Sequence, residues 1–393
     1  MDPITELLAG MLEEVRPHDA GETASYIPQL RDADPAPLAF AVAGPRGRVR
    51  TVGDDEVAFT IQSISKPFVL ALALEQRGRD GVLEKVGVEP SGEPFNAISL
   101  EPGTGRPANP LLNAGAIATT ALIEGADVDT RTGKIVDALS AFAGRSLWID
   151  EKVYASESET GHRNRALAHL LRSHDVIAGA VDVAVETYFR QCSVLVTVRD
   201  LAVMGATLAF GGMNPVTGRR VVSEPVARDV LAIMASCGMY DYSGEWLLRV
   251  GLPAKSGVSG GLLAVAPSQF GVAAFSPRLD AHGNSVRASA LVEAVADRFG
   301  MHLLELHESL GEPAVSVETV EDGRLVRLGG ELGFTGSERV VAVLRELAAG
   351  LAEGTVVTVD ASELGRANPG ALVALRTEFQ TMPDSFVLRE ESG

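Results

Sequence analysis

The sequence predicts an α+β fold: an antiparallel sheet with helices and an all-helical subdomain, followed by a small α/β domain. Three observations predict it: short apolar segments flank a turn early in the chain, helical patterns fill the middle, and glycine-bounded apolar strands follow Ala254. Strands at both ends with helices between them are typical of an α+β sandwich carrying a helical insertion. At 393 residues, the chain also exceeds what one hydrophobic core usually organises.

The first elements follow from apolar periodicity and turn residues. MDPITELLAGMLEEV has the pattern of an acidic amphipathic helix, and LAFAVAG and VRTVG flank a Gly-Pro-Arg-Gly turn, which predicts a hairpin. The segment Ser63–Glu75 is almost wholly apolar after its first turn and predicts a buried helix, with Pro67 tolerated near its start. Further helices are predicted near 112–124, 132–143, 157–172, 177–190, 197–210 and 223–236.

The pattern changes after Ala254. KSGVSGG predicts a glycine-rich loop, LLAVA and FGVAAFS predict two neighbouring buried strands, and a last helix is expected near 285–299. HESLGEPA then breaks the periodicity, so we place a linker at 308–313 between a domain at 1–307 and a second at 314–393. In the second domain, VSVETV, RLVRLGGEL, a helix near 336–350, TVVTVDAS, a helix near 370–379 and SFVLRE predict a small α/β domain.

Charge and composition exclude several classes of function. The formal net charge is −18, about −11 before residue 311 and about −7 after it, so both parts repel nucleic acid and anionic membrane surfaces. The N-terminus lacks the basic region of a secretory signal, and no apolar run approaches the roughly 18 residues that span a bilayer. Cys192 and Cys237 are too few for a disulfide framework. We therefore expect a cytoplasmic protein.

Ser63-Ile64-Ser65-Lys66, at the start of a buried helix, is the strongest local signal for chemistry. Residues i and i+3 share a helix face, so the Lys66 amine is expected beside the Ser63 hydroxyl. A desolvated amine has a lowered pKa and can accept the serine proton, while the helix N-terminus offers N–H groups to an oxyanion. Alone, the motif is a weak signal, because S-x-x-K often arises by chance as a helix cap and a surface lysine.

Lys255-Ser256-Gly257 strengthens the catalytic interpretation. Penicillin-recognising serine enzymes combine such a strand-edge motif with S-x-x-K, although their Ser-Asp-Asn motif is absent here. The structural alternative is a glycine turn before a strand.

Other catalytic classes find no support in the sequence. No H-E-x-x-H, paired C-x-x-C or P-loop occurs, so neither a metal nor a cofactor is predicted. His162 and His169 are expected to be solvent or core residues, and Cys192 and Cys237 to be buried structural thiols.

The chain contains six long and specific motifs: FTIQSISKPF, VGVEPSGEPFN, NPLLNAGAI, the SE-x-E-T-G-x-R-N stretch at 156–164, CGMYDYSGE and GLPAKSGVSGG. Together they closely resemble the bacterial glutaminase family of the serine β-lactamase-like superfamily, and the resemblance covers roughly residues 5–307. It implies a serine β-lactamase-like fold and hydrolysis of L-glutamine to L-glutamate and ammonia through a γ-glutamyl-enzyme ester, with no metal or organic cofactor.

The resemblance also implies roles for individual residues. Ser63 matches the family nucleophile and Lys66 its general base, with Tyr188 and Tyr240 as further catalytic residues. The backbone N–H groups of Ser63 and Val258 are implied as the oxyanion hole. Substrate contacts fall on Ser63, Asn113, Glu157, Asn164, Tyr188, Tyr240 and Val258, with Tyr26 near the site.

Glutamine chemistry agrees with these assignments. Glu157 can pair with the α-ammonium, Asn113 and Asn164 can donate to the α-carboxylate, and a tyrosine hydroxyl can relay a proton to ammonia. A continuous helix would place Glu157 and Asn164 on one face, since they are seven residues apart. The structural alternatives are a helix-start carboxylate at Glu157 and core aromatics at Tyr188 and Tyr240.

Residues 314–393 resemble the STAS family of sulfate-transporter and anti-sigma-antagonist domains, through TVVTVDAS followed by a loop and the helix PGALVAL. Family members can carry a phosphorylated serine in the turn before this helix. The chain has Asn368-Pro369-Gly370-Ala371 there, so we expect no phosphorylation at this turn. A structural or interaction role follows, with an unidentified protein as partner.

Two other functions share some of these features. A penicillin-binding or peptidase-like acyl transferase would use Ser63, Lys66 and the KSG motif and would be labelled by a fluorescent β-lactam. A regulatory protein would bind through the tail and carry an inactive larger domain. This alternative is disfavoured by the intact residues Ser63, Lys66, Tyr188 and Tyr240. Homo-oligomers are common among soluble enzymes, and the resemblance implies a dimer or tetramer.

Overall fold

The computed structural model describes residues 3–92, 100–304, 314–320, 323–351, 355–367, 369–382 and 385–389. The chain divides into two compact units, one spanning Ala9–Ala294 and the other comprising Met1–Leu8 and Val295–Gly393. The predicted linker at 308–313 lies outside the described residues, so the domain boundaries 1–307 and 314–393 stay a prediction.

The larger unit is built on an antiparallel sheet. Its strands are β1 (Ala39–Ala43), β2 (Val49–Gly53), β3 (Phe59–Thr60), β4 (Leu195–Val196), β5 (Ala254–Ser256), β6 (Gly261–Ala266) and β7 (Phe270–Phe275). Five of them form a sheet in the order β2-β1-β7-β6-β5, and β3 pairs with β4. Every residue of β1, β6 and β7 is buried, so the central strands are covered on both faces. The predicted hairpin and the two predicted buried strands are confirmed.

Helices occupy most of the chain between and around these strands. The sequence makes them amphipathic or wholly apolar, and they bury their apolar faces against the sheet or each other. They are α1 (Pro3–Val15), α2 (Pro28–Arg31), α3 (Ser65–Leu83), α4 (Asn113–Leu122), α5 (Val128–Ala143), α6 (Glu151–Thr160), α7 (His162–Ser173), α8 (Val181–Cys192), α9 (Val198–Ala209), α10 (Glu224–Cys237), α11 (Ser243–Arg249) and α12 (Val286–Phe299).

Two apolar clusters position the site. The larger joins the sheet to α3, α5, α9 and α10, with α9 lying across β1, β6 and β7. Phe68 of α3 and Phe142 of α5 meet there with ring centroids 4.9 Å apart. The second cluster joins α4, α7 and α8, which form the helical subdomain. Helix α3 contacts α4, so it links the sheet to this subdomain.

Most predicted helices are confirmed, and one is wrong in an informative way. The pattern at 157–172 predicts one helix, but α6 ends at Thr160 and α7 begins at His162. The chain turns at Gly161, so Glu157 and Asn164 lie on different helices and not on one helical face. The short elements α2, α11, β3 and β4 were not predicted, because two to seven residues are too few to establish a period.

The smaller unit contains a mixed four-stranded sheet. Strands β8 (Ala314–Val320) and β9 (Gly323–Leu332) are antiparallel, whereas β9, β10 (Val356–Ala367) and β11 (Phe386–Arg389) are parallel. Helices α13 (Phe334–Gly350) and α14 (Pro369–Thr381) connect the parallel strands. The pair Arg345–Glu378 ties α13 to α14, with Arg345 Nη2 2.8 Å from Glu378 Oε2. The predicted alternation of strands and helices is confirmed, while the resemblance to STAS domains stays a prediction.

None of the described helices is long and apolar enough to cross a membrane.

Candidate active site

Ser63 lies on a short 3₁₀ turn, Gln62–Ile64, between β3 and α3. The α-helix begins only at Ser65, so Ser63 precedes the helix on which the sequence placed it. Gln62 has φ +48°, a left-handed conformation that costs a residue with a side chain about 1 kcal/mol or more. The Ser65 hydroxyl stabilises this turn by donating to the Gln62 carbonyl at 2.7 Å. Ser63 is thus held at the head of α3 on a strained and internally hydrogen-bonded turn.

Lys66 occupies the first turn of α3 and is 1% exposed. Its amine donates to the Leu111 carbonyl at 3.1 Å and to Asn113 Oδ1 at 2.8 Å. Burial lowers the pKa of Lys66 to about 8, because the interior disfavours the ammonium form. A substantial fraction of this amine is therefore neutral near physiological pH.

Tyr240 contacts the Ser63 side chain. Its hydroxyl hydrogen-bonds with that of Ser63 and also donates to the Ser256 carbonyl at 3.1 Å. Burial raises the pKa of Tyr240, so the phenol stays protonated and can serve as a proton donor. Tyr240 has φ +60°, the second left-handed residue beside Ser63. Gln62 and Tyr240 are two of four non-glycine residues with positive φ in the described part of the chain.

Lys255 and Ser256 lie on β5, an edge strand, and not in the loop that the sequence predicted. Both are fully buried. The Lys255 amine donates to the carbonyls of Gly238 and Ser256 at 2.8 Å each, and it lies 3.9 Å from the centre of the Tyr240 ring. Burial and the neighbouring Lys66 lower the pKa of Lys255. Lys255 therefore connects β5 to the segment that carries Tyr240.

The turn after β5 packs directly on the Ser63 turn. A Cβ at Gly257 would lie 3.0 Å from Ile64 Cγ1 and 3.2 Å from the Ile61 carbonyl, so this approach favours glycine. Val258 follows and packs with Ile27 and Val153. No backbone carbonyl of the described residues accepts a hydrogen bond from its N–H.

A buried carboxylate contacts Gln62, the residue before Ser63. Glu157, only 5% exposed, accepts hydrogen bonds from the Tyr26 hydroxyl at 2.8 Å and from Gln62 Nε2 at 3.2 Å. Tyr26 is 47% exposed as a residue, but its hydroxyl points inward to this contact. Burial raises the pKa of Glu157, and the two hydrogen bonds offset part of that rise. A cationic group at this carboxylate would compensate for its loss of hydration.

Asn113 links Lys66 to the remaining predicted residues. Its Oδ1 accepts from Lys66 and, at 3.4 Å, from the Tyr188 hydroxyl, while its Nδ2 donates to Asn164 Oδ1 at 3.1 Å. Asn113 is the first residue of α4, Asn164 lies on α7 and Tyr188 on α8, so three helices of the second cluster meet here. The structure thus brings together all the residues that the sequence singled out, through direct contacts or by adjacency along the chain.

Sequence reasoning missed several residues that support the site. Gln62 connects Tyr26 and Glu157, and Gln191 donates to the Ser65 hydroxyl at 3.0 Å. The one sequence signal for Gln62 was its position next to Ser63, because a glutamine does not indicate a left-handed φ by its residue type. Cys192 is buried against Tyr188 and Ser65, and burial raises its pKa to about 12. The expectation of buried thiols is confirmed for both cysteines.

The two histidines that the sequence predicted to be solvent or core residues, His162 and His169, are both exposed to solvent. Among the described residues, no group of three or more His, Cys, Asp and Glu is arranged to hold a metal ion.

Comparison with known proteins identifies the family. The family model described as Glutaminase matches residues 21–304. The chain belongs to the glutaminase family. A glutaminase from Corynebacterium efficiens is 50% identical over 339 residues, covering 86% of this chain and 80% of the relative. A glutaminase from Corynebacterium glutamicum is 43% identical over 385 residues, covering 98% and 92%.

A solved structure extends the similarity to the fold. The crystal structure of Mglu in its native form is 40% identical, has a TM-score of 0.76 and matches 100% of both chains. The chain is therefore a glutaminase enzyme, and the serine β-lactamase-like fold implied by the sequence resemblance is confirmed. The matches to Mglu and to the Corynebacterium glutamicum glutaminase extend through the smaller unit.

Proposed function

We propose that this glutaminase hydrolyses L-glutamine to L-glutamate and ammonia through a γ-glutamyl ester on Ser63. The observation that carries the proposal is a buried Ser63, whose hydroxyl hydrogen-bonds with Tyr240, three residues before a buried Lys66 whose pKa is lowered to about 8. A second solved structure, 39% identical to this chain, is of Mglu in its glutamate form, and glutamate is the product proposed here.

In the first half of the reaction, the neutral Lys66 amine accepts the proton of Ser63 Oγ as that oxygen attacks the side-chain amide carbon. The carbonyl oxygen gains negative charge, which the N–H groups of Ser63 and Val258 stabilise. The C–N bond then breaks as the leaving nitrogen takes a proton. The Tyr240 hydroxyl, in contact with Ser63, is placed to relay that proton from Lys66. Ammonia departs and the γ-glutamyl ester remains.

In the second half, water attacks the ester carbon and Lys66 accepts its proton. The Ser63–carbon bond breaks, the proton returns to Ser63, and glutamate leaves. Ser63 regains its proton at the end of the second half, and the reaction consumes only glutamine and water. It therefore balances without a cofactor.

Recognition of the amino acid falls to the polar groups around the serine. Glu157 receives the α-ammonium, with its orientation fixed by Tyr26 and Gln62. Asn113 and Asn164 donate to the α-carboxylate, and Tyr188 holds Asn113. These groups lie on separate helices, so the preference for an amino acid depends on how those helices pack.

Trapping the acyl-enzyme tests this proposal. Enzyme mixed with glutamine and quenched in acid within one turnover is expected to carry one glutamyl group on the peptide containing Ser63, because the ester is stable in acid. Peptide mapping by mass spectrometry makes the measurement. A glutamyl group found reproducibly on another residue would refute the mechanism.

Glu157→Gln is expected to raise KM for glutamine by about 10²-fold, because a charge-assisted hydrogen bond to the α-ammonium is lost. Since burial raises the pKa of Glu157, wild-type kcat/KM should also fall as the pH drops and this carboxylate is protonated. Steady-state ammonia release from about pH 4.5 upward measures both effects. A variant whose KM matches that of the wild type would remove Glu157 from the assignment.

We also propose a cytoplasmic location and a homo-oligomeric state, dimeric or tetrameric. The two buried free thiols, Cys192 and Cys237, support a reducing compartment. For the smaller unit we propose a STAS-like interaction role with a protein partner, supported by its mixed four-stranded sheet with two connecting helices. A pulldown through residues 311–393 tests for that partner.

A further inference from the structure

A polar cluster behind the site joins the two helices that carry Glu157 and Asn164. These helices, α6 and α7, meet at Gly161 and form a corner that rests on α8. A Cβ at Gly161 would lie 2.7 Å or less from ring atoms of Phe189, so the corner approaches α8 as closely as a glycine permits. We call α6, Gly161 and α7 the recognition corner.

Glu186 of α8 accepts hydrogen bonds from both arms of this corner. From α6, the Tyr154 hydroxyl donates to Oε2 at 2.9 Å and the Ser158 hydroxyl donates at 3.0 Å. From α7, Arg165 forms an ion pair with Oε1. The same Arg165 nitrogen reaches back to α6, donating to the Ser158 hydroxyl at 2.9 Å and to its carbonyl at 3.0 Å.

The environment of Glu186 shows that these bonds favour its charged form. Its side chain is 18% exposed and that of Arg165 is 30% exposed. Burial opposes ionisation, but hydrogen bonds from Arg165, Tyr154 and Ser158 outweigh it and lower the pKa of Glu186. The guanidinium of Arg165 also lies 5.3 Å from the centre of the Phe189 ring. The cluster is therefore a charged and largely water-shielded junction of three helices.

Two of the three partners of Glu186, Ser158 and Arg165, adjoin a recognition residue along the chain. Ser158 follows Glu157, and Arg165 follows Asn164. Because neighbouring residues on a helix point about 100° apart, a helix fixed through one residue also fixes the direction of the next. Tyr188, which holds Asn113, lies two residues beyond Glu186 on α8.

We propose that Glu186 is a positioning residue that fixes the recognition corner. In this way it sets the preference of the enzyme for glutamine over analogues that lack the α-ammonium group. It does not touch the substrate, and its effect passes through Glu157 and Asn164. The proposal rests on the proposed function, because it takes Glu157 as the receptor of the α-ammonium.

The test compares glutamine with glutaramate, the analogue that lacks the α-ammonium group, in an ammonia-release assay on the full chain. Glu186→Gln keeps the size of the side chain but places an uncharged amide against Arg165. We expect KM for glutamine to rise about tenfold with kcat reduced less than about threefold, and the kcat/KM preference for glutamine over glutaramate to fall about tenfold. Arg165→Lys should shift the preference in the same direction, because a lysine cannot bridge Glu186 and Ser158 together.

Asp129→Asn is the matched control. Asp129 of α5 pairs with Arg190, also on α8, at 2.6 Å, so this variant removes a different ion pair from the same helix. We expect it to keep wild-type discrimination. A merely structural role of Glu186 would lower the melting temperature and leave the preference for glutamine unchanged.

Glu157→Gln separates the two proposals. If Glu157→Gln lowers the preference for glutamine while Glu186→Gln and Arg165→Lys leave it within twofold of the wild type, the positioning role is wrong and the proposed function stands. If Glu157→Gln leaves the preference unchanged, the assignment of the α-ammonium site fails and the role of Glu186 fails with it. Should Glu186→Gln not fold, Arg165→Lys decides the question.

Discussion

Ser63→Ala is expected to lower kcat for ammonia release from glutamine by about 10⁴-fold or more, the scale of loss seen when a catalytic nucleophile is removed. Alanine fits the site without strain, since it removes only one oxygen from a side chain that is 8% exposed. The Tyr240 hydroxyl keeps the Ser256 carbonyl as its acceptor. The variant should therefore fold and bind glutamine while failing to form the ester. Stopped assays with enzyme at high concentration are needed to measure the residual rate.

Ser65→Ala provides the matched control for this experiment. Ser65 shares the turn with Ser63, but its hydroxyl donates to the Gln62 carbonyl and accepts from Gln191. Its loss should cost about 1–3 kcal/mol of stability, because buried partners lose a hydrogen bond. Turnover should fall by less than about tenfold, since the attacking oxygen is retained. If Ser63→Ala retained the activity of Ser65→Ala, Ser63 could not be the nucleophile.

Lys66→Met should lower kcat/KM by about 10³-fold or more, because methionine has no lone pair that can accept the serine proton. Lys66→Arg gives the sharper comparison. A guanidinium keeps the positive charge but does not deprotonate in proteins, so it cannot act as a base. A general base therefore predicts that both variants are inactive. An arginine variant with near wild-type turnover would reduce the role of Lys66 to that of a fixed charge.

The same residue predicts a pH dependence. Burial lowers the pKa of Lys66 to about 8, and the neutral amine is the active form. The neutral fraction grows as the pH rises through this value, so kcat/KM should increase about tenfold between about pH 7 and pH 9. Activity is lost on the acid side because protonation of Lys66 leaves Ser63 without an acceptor. A flat profile over this interval would contradict the assignment.

The sequence identified the side chains that the structure brings together at the candidate site better than the backbone that carries them. Ser63, Lys66 and the KSG motif could be found because each combines a reactive group with an apolar segment that desolvates it. The left-handed backbone at Gln62 and Tyr240 could not be predicted, since neither residue type indicates a positive φ. Placing Ser63 on the helix was wrong by two residues, because the tight turn continues into the same apolar pattern.

The break at Gly161 shows another limit of periodicity. The polar stretch 157–165 leads directly into the apolar spacing of 166–171, and a single glycine inside a helical pattern does not by itself end a helix. The close packing of Phe189 against Gly161 explains the break, and that contact joins residues far apart in sequence. Strands β1, β2, β6 and β7 of the sheet and the strands of the smaller unit were predicted well, since their apolar runs are bounded by glycine, proline and charged residues.

The two left-handed residues beside Ser63 also bear on the engineering of heat resistance. A domain is held together by only about 5–15 kcal/mol, and such conformations cost about 1–3 kcal/mol each. Selecting variants for melting temperature alone would favour relaxed backbones at Gln62 and Tyr240, and these would be more durable but poorer catalysts. Thermostabilising substitutions are therefore better sought on exposed helix faces, where they do not relax the strained backbone at Gln62 and Tyr240.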